Sequence, residues 1–295
     1  MNQLIDDYAG RLGLSTPLEP TLDCLRRLHE AHLYTVPFEN FGMHRNAERG
    51  LGEEVLHEAI VRGRRGGICF ETGQMMRWLF EACGFDHEVR LASCVNPTYG
   101  LGPATHQVFV VTVDGTRWLF DIGYGAQGPR GPFPLVDGEG FAHPALSTRV
   151  AKVAPAGEGG APVWEVSIRE HATGATEWRE IYRFVDAPAA DIDLEMAHFY
   201  TVASPNSLLN RHKVASVPTP TGRVSVRDLF LTVVHDGVST TTPIADRAEL
   251  RALLERHFGL VVPEHELAPA PAAVPAAAPA PAAPVPAYAS APERH

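Results

Sequence analysis

Lysine is nearly missing from this chain of 295 residues: Lys152 and Lys213 are the only two among 25 lysines and arginines. Arginine fills the other basic positions, which together with abundant Ala, Pro and Gly points to a GC-rich coding genome. Positive charge is short overall. Against 35 Asp and Glu the formal net charge is -10, which argues against a grip on nucleic acid and suits neutral or cationic small molecules. No run of about 18 apolar residues occurs, so no membrane-spanning helix is expected. The opening MNQLIDDYAG is polar and acidic where an export signal would be basic and then apolar. Cysteine is scarce too. Cys24, Cys69, Cys83 and Cys94 show no Cys-x-x-Cys spacing, so neither a metal nor a disulfide framework is expected, and the thiols read as reduced in a cytoplasm.

What is present is the content of a globular protein, 45% apolar and 20% charged. Residues 1–87 read as helical. Thr21 can cap a helix carrying Leu22, Leu25, Leu28 and His32, and Pro37 ends it. In a second helix after Cys69, residues Met76, Leu79, Phe80 and Cys83 recur at helical spacing, with Arg77 and Glu81 turned away and Gly84 as the stop. Residues 88–190 change to strand patterns. Gln107 to Val113 is apolar on both faces, Asp114-Gly115 is a two-residue hairpin signal, and Arg117 to Asp121 returns. Trp164–Ile168 and Trp178–Phe184 suggest another hairpin through Thr173-Gly174. Residues 191–266 are mixed, with a strand near Leu229–Val234 and a helix over Ile244–Phe258. From 267 to 295 the chain is almost all Ala and Pro, which predicts a disordered tail.

Cys69 is the cysteine with chemical promise. It follows Gly66 and Gly67 at the start of a helix, where unpaired N–H groups and the dipole favour a thiolate; Cys24, Cys83 and Cys94 lack this setting and read as packing residues. A thiolate nucleophile needs a base. With Asp114 and Gly115 as the loop, Asp121 falls opposite Val108, on the face that also carries His106 two residues earlier. The two side chains are then diagonal neighbours about 7–8 Å apart at the backbone. A carboxylate placed there fixes the imidazole and stabilises its cation.

These segments resemble a known family. Arg65-Gly66-Gly67-Ile68-Cys69-Phe70-Glu71, Thr105-His106 and Phe120-Asp121-Ile122-Gly123-Tyr124-Gly125 are similar, in order, to the signatures of the arylamine N-acetyltransferases. Leu28-His29, Val36-Pro37-Phe38-Glu39-Asn40, Asp193-Leu194-Glu195-Met196-Ala197 and Ser204-Pro205 add to the match. The resemblance, over about residues 7–260, implies an α+β fold: an N-terminal helical bundle, a central antiparallel β-barrel, a C-terminal α/β lid and a papain-like Cys-His-Asp site. It implies Cys69 as acyl acceptor, His106 as base and Asp121 as orienter. Phe38 and Tyr124 are candidates for the amine pocket, and Glu39 with Arg65 for a supporting ion pair. The implied reaction carries an acetyl group from acetyl-CoA through the cysteine to an arylamine, hydrazine or hydroxylamine, with no permanently bound cofactor. An alternative within the family is an amide synthase that takes a polyketide chain from an acyl carrier protein and closes a macrolactam. An alternative of another class is a binding protein that keeps the fold without catalysis. Two departures fall near the substrate: Thr72-Gly73 follows Glu71 where the family usually has Asn, and Ser207-Leu208-Leu209-Asn210 lacks the usual aromatic.

Overall fold

The computed structural model describes residues 3–15, 17–96, 100–153 and 160–268. Helix formation at the start follows the caps. α1 (Gln3–Arg11) precedes α2 (Leu22–Thr35), where the Thr21 side chain accepts from Cys24 N–H at 3.2 Å and Pro37 follows the end. A two-residue strand β1 (Phe38–Glu39) leads to α3 (Met43–Arg49), α4 (Glu53–Leu56) and a π-helical turn over His57–Arg62. α5 (Cys69–Cys83) begins at the nucleophile candidate, and Gly84 closes it with a left-handed φ of 77°. On α5, Met76, Leu79, Phe80 and Cys83 are buried as their spacing predicts, while Arg77 and Glu81 pair with each other at 3.2 Å.

The middle of the chain forms an eight-stranded antiparallel sheet. Its strands are β2 (Asp86–Asn96), β3 (Gly100–Val113), β4 (Thr116–Phe120), β5 (Phe133–Pro134), β6 (Gly140–Phe141), β7 (Ser147–Val153), β8 (Val163–Arg169) and β9 (Arg179–Val185). They are ordered β5-β4-β3-β2-β9-β8-β7-β6, and the two outer strands curl back towards each other. The expected β3–β4 register is the observed one: Phe109 lies opposite Phe120 and Val113 opposite Thr116. Asp114 (φ 50°) and Gly115 (φ 73°) both take left-handed backbone, which is what a two-residue turn of this hand demands. β8 and β9 pair as foreseen, but residues 170–178 join them through a short 3-10 turn rather than a tight hairpin, leaving Trp178 just outside β9.

Beyond the barrel come α6 (Asp191–Ala203), α7 (Leu208–Arg211), and strands β10 (Val214–Thr219), β11 (Gly222–Arg227), β12 (Phe230–His235) and β13 (Val238–Pro243). α8 (Arg247–Phe258) starts three residues later than the sequence pattern suggests. Asp246 caps it by accepting from Glu249 N–H at 2.9 Å, which leaves Ile244 buried outside the helix. β10 to β13 form a meander, and β1 adds to its edge by pairing Phe38 with Ser216 and Glu39 with Ala215. One sheet therefore joins strands more than 170 residues apart in the chain. Among the described residues, no helix is long and apolar enough to cross a membrane.

Three apolar clusters hold these layers. Leu25, Leu28, Phe80, Phe109 and Phe120 fill the space between the helices and one face of the sheet; Val108, Val110, Leu146, Val166 and Ile181 fill the barrel. Ala215, Val226, Leu250, Leu254 and Leu267 join the last sheet to α8. Leu267 stands at the head of the segment expected as a tail, yet it is buried because the 3-10 turn Glu264–Leu267 folds back on the body. The rest of that segment, from residue 269, lies outside the described residues.

The same turn closes a buried charge network. Arg65 contacts Glu39 at 2.8 Å and Glu266 at 2.7 Å, and Glu266 also meets Arg45 at 2.6 Å. Arg65, Glu39 and Glu266 are all buried, so removing one partner strands charge in a poorly solvated place. Glu266→Ala is expected to cost about 3–5 kcal/mol of unfolding free energy. Denaturant titration checks this; a loss within about 0.5 kcal/mol, the range of an ordinary surface change, would show the network to be dispensable.

Candidate active site

The start of α5 is placed by the loop before it. Gly67 forms a parallel bridge with Phe38, with Glu39 N–H donating to the Gly67 carbonyl at 3.2 Å and Gly67 N–H to the Pro37 carbonyl at 3.3 Å. A side chain at position 66 would run into the Pro37 carbonyl and come within 2.8 Å of Glu39 Cγ, so the glycine is required by close approach. Ile68 cannot cap the helix with its own side chain. Glu71 does that work from inside the first turn, its carboxylate accepting from Ile68 N–H at 2.8 Å and from the Asn46 amide. Burial raises the Glu71 carboxyl to about 7, against the lowering effect of those two hydrogen bonds.

Cys69 is 6% exposed, and its Sγ lies 3.8 Å from the Thr105 carbonyl. The hairpin brings the other two candidates to it. His106 Nε2 and Asp121 Oδ2 are 3.0 Å apart, both buried. Burial opposes charge on His106, but Asp121 beside it and a hydrogen bond with Cys69 hold its pKa well above the usual imidazole value. Burial likewise opposes charge on Asp121; the His106 charge and hydrogen bonds from His106 and Gly123 N–H, the latter at 2.9 Å, hold it below the usual carboxylate range. Gly123 lets the two halves of the site meet. A Cβ there would lie 2.6 Å from Cys69 Cβ and 2.9 Å from its Cα.

The other sequence candidates sit nearby. Tyr124 packs edge-on to the His106 ring at 5.5 Å and donates its hydroxyl to the Ile181 carbonyl at 3.4 Å. Phe38 is half-buried in the cluster that contains Cys69, Ile68 and Phe70. Glu39 and Arg65 form the ion pair described above. Cys24 and Cys83 are buried in the helical core, and Cys94 packs partly buried against the barrel core.

Two residues escaped the sequence reading. Tyr182, fully buried on β9, packs its ring at a tilt of 55° against His106 with centroids 5.2 Å apart; nothing in its strand pattern marks it. His29 had only its place in a short motif to single it out. Its Nε2 donates to the Asp121 backbone carbonyl at 2.8 Å, and its ring meets Phe120 edge-on at 5.0 Å. Because that partner only accepts, Nε2 carries a hydrogen; burial pushes the ring's pKa down to about 4, so the imidazole is neutral near pH 7.

The sequence matches the family model described as N-acetyltransferase over residues 21–267. The chain belongs to the arylamine N-acetyltransferase family. It is 27% identical over 269 residues to the arylamine N-acetyltransferase / N-hydroxyarylamine O-acetyltransferase of Salmonella typhimurium, covering 89% of this chain and 90% of that one. A solved structure of an arylamine N-acetyltransferase from Salmonella typhimurium superposes with a TM-score of 0.78 at 26% identity, covering 90% of this chain and 93% of that chain. A more distant relative, an N-malonyltransferase of Fusarium pseudograminearum, is 27% identical over 224 residues, or 68% of this chain and 65% of that one. The chain is accordingly a transferase, with the family's α+β architecture and nearly closed barrel.

The neutrality of His29 has a measurable consequence for this family member. Its folded pKa of about 4 lies below the free value of about 6.5, so between these values the unfolded chain binds the proton first. Stability therefore falls as pH drops through that window. His29→Gln keeps an N–H for the Asp121 carbonyl and removes the titration. The stability lost between pH 7 and pH 4 should shrink by about 3 kcal/mol, measured by unfolding at both pH values. An unchanged acid loss would assign the titration to another group, such as His32, which burial pushes down to about 3.

Proposed function

We propose that this protein transfers an acetyl group from acetyl-CoA to an aromatic amine or hydrazine, with Cys69, His106 and Asp121 as the working set. The observation that carries the reading is the buried His106–Asp121 pair at 3.0 Å beside a cysteine that opens a helix. A raised imidazole pKa keeps His106 protonated next to Cys69, which favours a thiolate–imidazolium pair. The thiolate attacks the thioester carbonyl, forming a new C–S bond. As the C–S bond to coenzyme A breaks, the departing sulfur takes the His106 proton. An amine then attacks the acyl-cysteine, gives a proton to the now neutral His106, and releases Cys69 as its thiolate. Asp121 keeps the ring oriented through both halves of the cycle.

Phe38 and Tyr124 are proposed to flank the incoming amine, which suits a flat aromatic acceptor. Acyl transfer to amines is common to the relatives by name, and the malonyl-transferring relative makes malonyl-CoA the natural second donor to compare.

Incubation with acetyl-CoA, followed by intact mass measurement, should add one acetyl group to the wild type and none to Cys69→Ala. Acetylation that persists in Cys69→Ala would remove the nucleophile assignment.

Asp121→Asn preserves shape but withdraws the charge that stabilises the imidazolium. Stopped-flow acylation should slow by several orders of magnitude, on the roughly 10⁴-fold scale known for the same change in a serine triad. Equal acylation rates in folded wild type and variant would mean that another group orients His106.

A further inference from the structure

Gly73 lies in the interior of α5, where glycine is the poorest helix former short of proline. It also falls in the stretch after Glu71 where the sequence departs from its family. Four residues after Cys69, it shares the helix face that carries the sulfur. A Cβ built at position 73 would lie 2.6 Å from Gln107 Nε2 and 2.8 Å from Gln107 Cδ. The Gln107 amide thus occupies the volume that a side chain at 73 would take.

Gln107 follows His106 on β3 and is itself only 6% exposed. Its partner across the ladder, Leu91, packs against the cluster of Cys69 and Phe70. Among the described residues its amide makes no hydrogen bond, so polar pairing does not account for its place. The amide end lies over the bare Gly73 position of α5, in the space a Cβ there would fill. The contact between 73 and 107 stands one helical turn from Cys69 and one residue from His106, and it is the neighbour of the Cys69–His106 contact along the same two elements.

We propose that Gly73 and Gln107 are a matched pair of positioning residues: the missing side chain on α5 receives the amide from β3 and sets the gap across which Cys69 faces His106. The end of a glutamine is flexible, so in an open site a methyl group at 73 would simply displace it. Here Gln107 is buried, and the displacement falls on the spacing between helix and strand. Misplacement of a reacting pair by about 1 Å is enough to cost about 10²-fold in rate. The inference rests on Cys69 and His106 being nucleophile and base. Turnover retained by Cys69→Ala would sink that reading, whereas failure of rescue between 73 and 107 sinks this one alone.

The test is a double-variant cycle on the full chain, reading acylation by acetyl-CoA, its half-saturation, its pH profile and Tm. Gly73→Ala should slow acylation at saturating acetyl-CoA by about tenfold or more, leave half-saturation within about twofold, and shift the midpoint of the pH profile. Tm should fall with the clash, whereas helix propensity alone predicts a rise in Tm with no loss of rate. Adding Gln107→Ala to Gly73→Ala should restore acylation to within about threefold of Gln107→Ala alone, the non-additivity expected of residues in contact. Wild-type acylation in Gly73→Ala, or a double variant no faster than Gly73→Ala, overturns the proposal. Should Gly73→Ala not fold, Gln107→Ala decides: it introduces no clash, so it must slow acylation and move the pH midpoint, and if both stay unchanged the pairing has no role.

Discussion

The buried guanidinium of Arg65 is the interaction on which the rest of the structure leans. It stands where the loop before α5, the strand β1 and the turn Glu264–Leu267 converge, and it carries Glu39 on one side and Glu266 on the other. A cation in that place cannot lose either neighbour without being left unsolvated. The loop that opens α5 is thereby held against Pro37 and Phe38, and the position of Cys69 follows from the position of the loop. Arg65, four residues before Cys69, thus helps determine where the sulfur sits.

The second constraint is arithmetic. A two-residue turn at Asp114-Gly115 leaves one register for β3 and β4, and that register puts Asp121 within reach of His106. This part was legible because turn chemistry is local and the pleat alternates with a period of two. The helix limits at Thr21, Cys69 and Gly84 were legible for the same reason: caps and stops are written within a few residues.

What the sequence did not disclose depends on contacts between distant segments. Glu266 belongs to the site's support only because the turn Glu264–Leu267 folds back some two hundred residues after Arg65. His29 reads as one of 14 histidines until its ring is seen against the Asp121 carbonyl. A glycine inside a helix reads as a defect, and only the position of Gln107 turns it into a fitted space. β10, β11 and β13 were hidden by weak patterns: Pro218 interrupts the first, and β13 is exposed along its whole length, so no buried face marks it. The His106–Asp121 pairing was easier to read than its scaffold, because one hairpin carries both residues.

The pairing of β1 with β10 also has a consequence in time. Phe38 and Glu39 reach their partners Ser216 and Ala215 only after the intervening chain has been made. At the usual pace of synthesis that is a wait of roughly 9–35 s. During that interval the early helices can gather around Leu25, Leu28 and Phe80, but the segment that steers the Cys69 loop has no sheet to join, and Arg65 lacks Glu266. A nascent chain stopped before residue 214 would hold Cys69 with β1 unpaired and Arg65 without Glu266. Cys69 is therefore set in place late, when nearly the whole enzyme exists to enclose it.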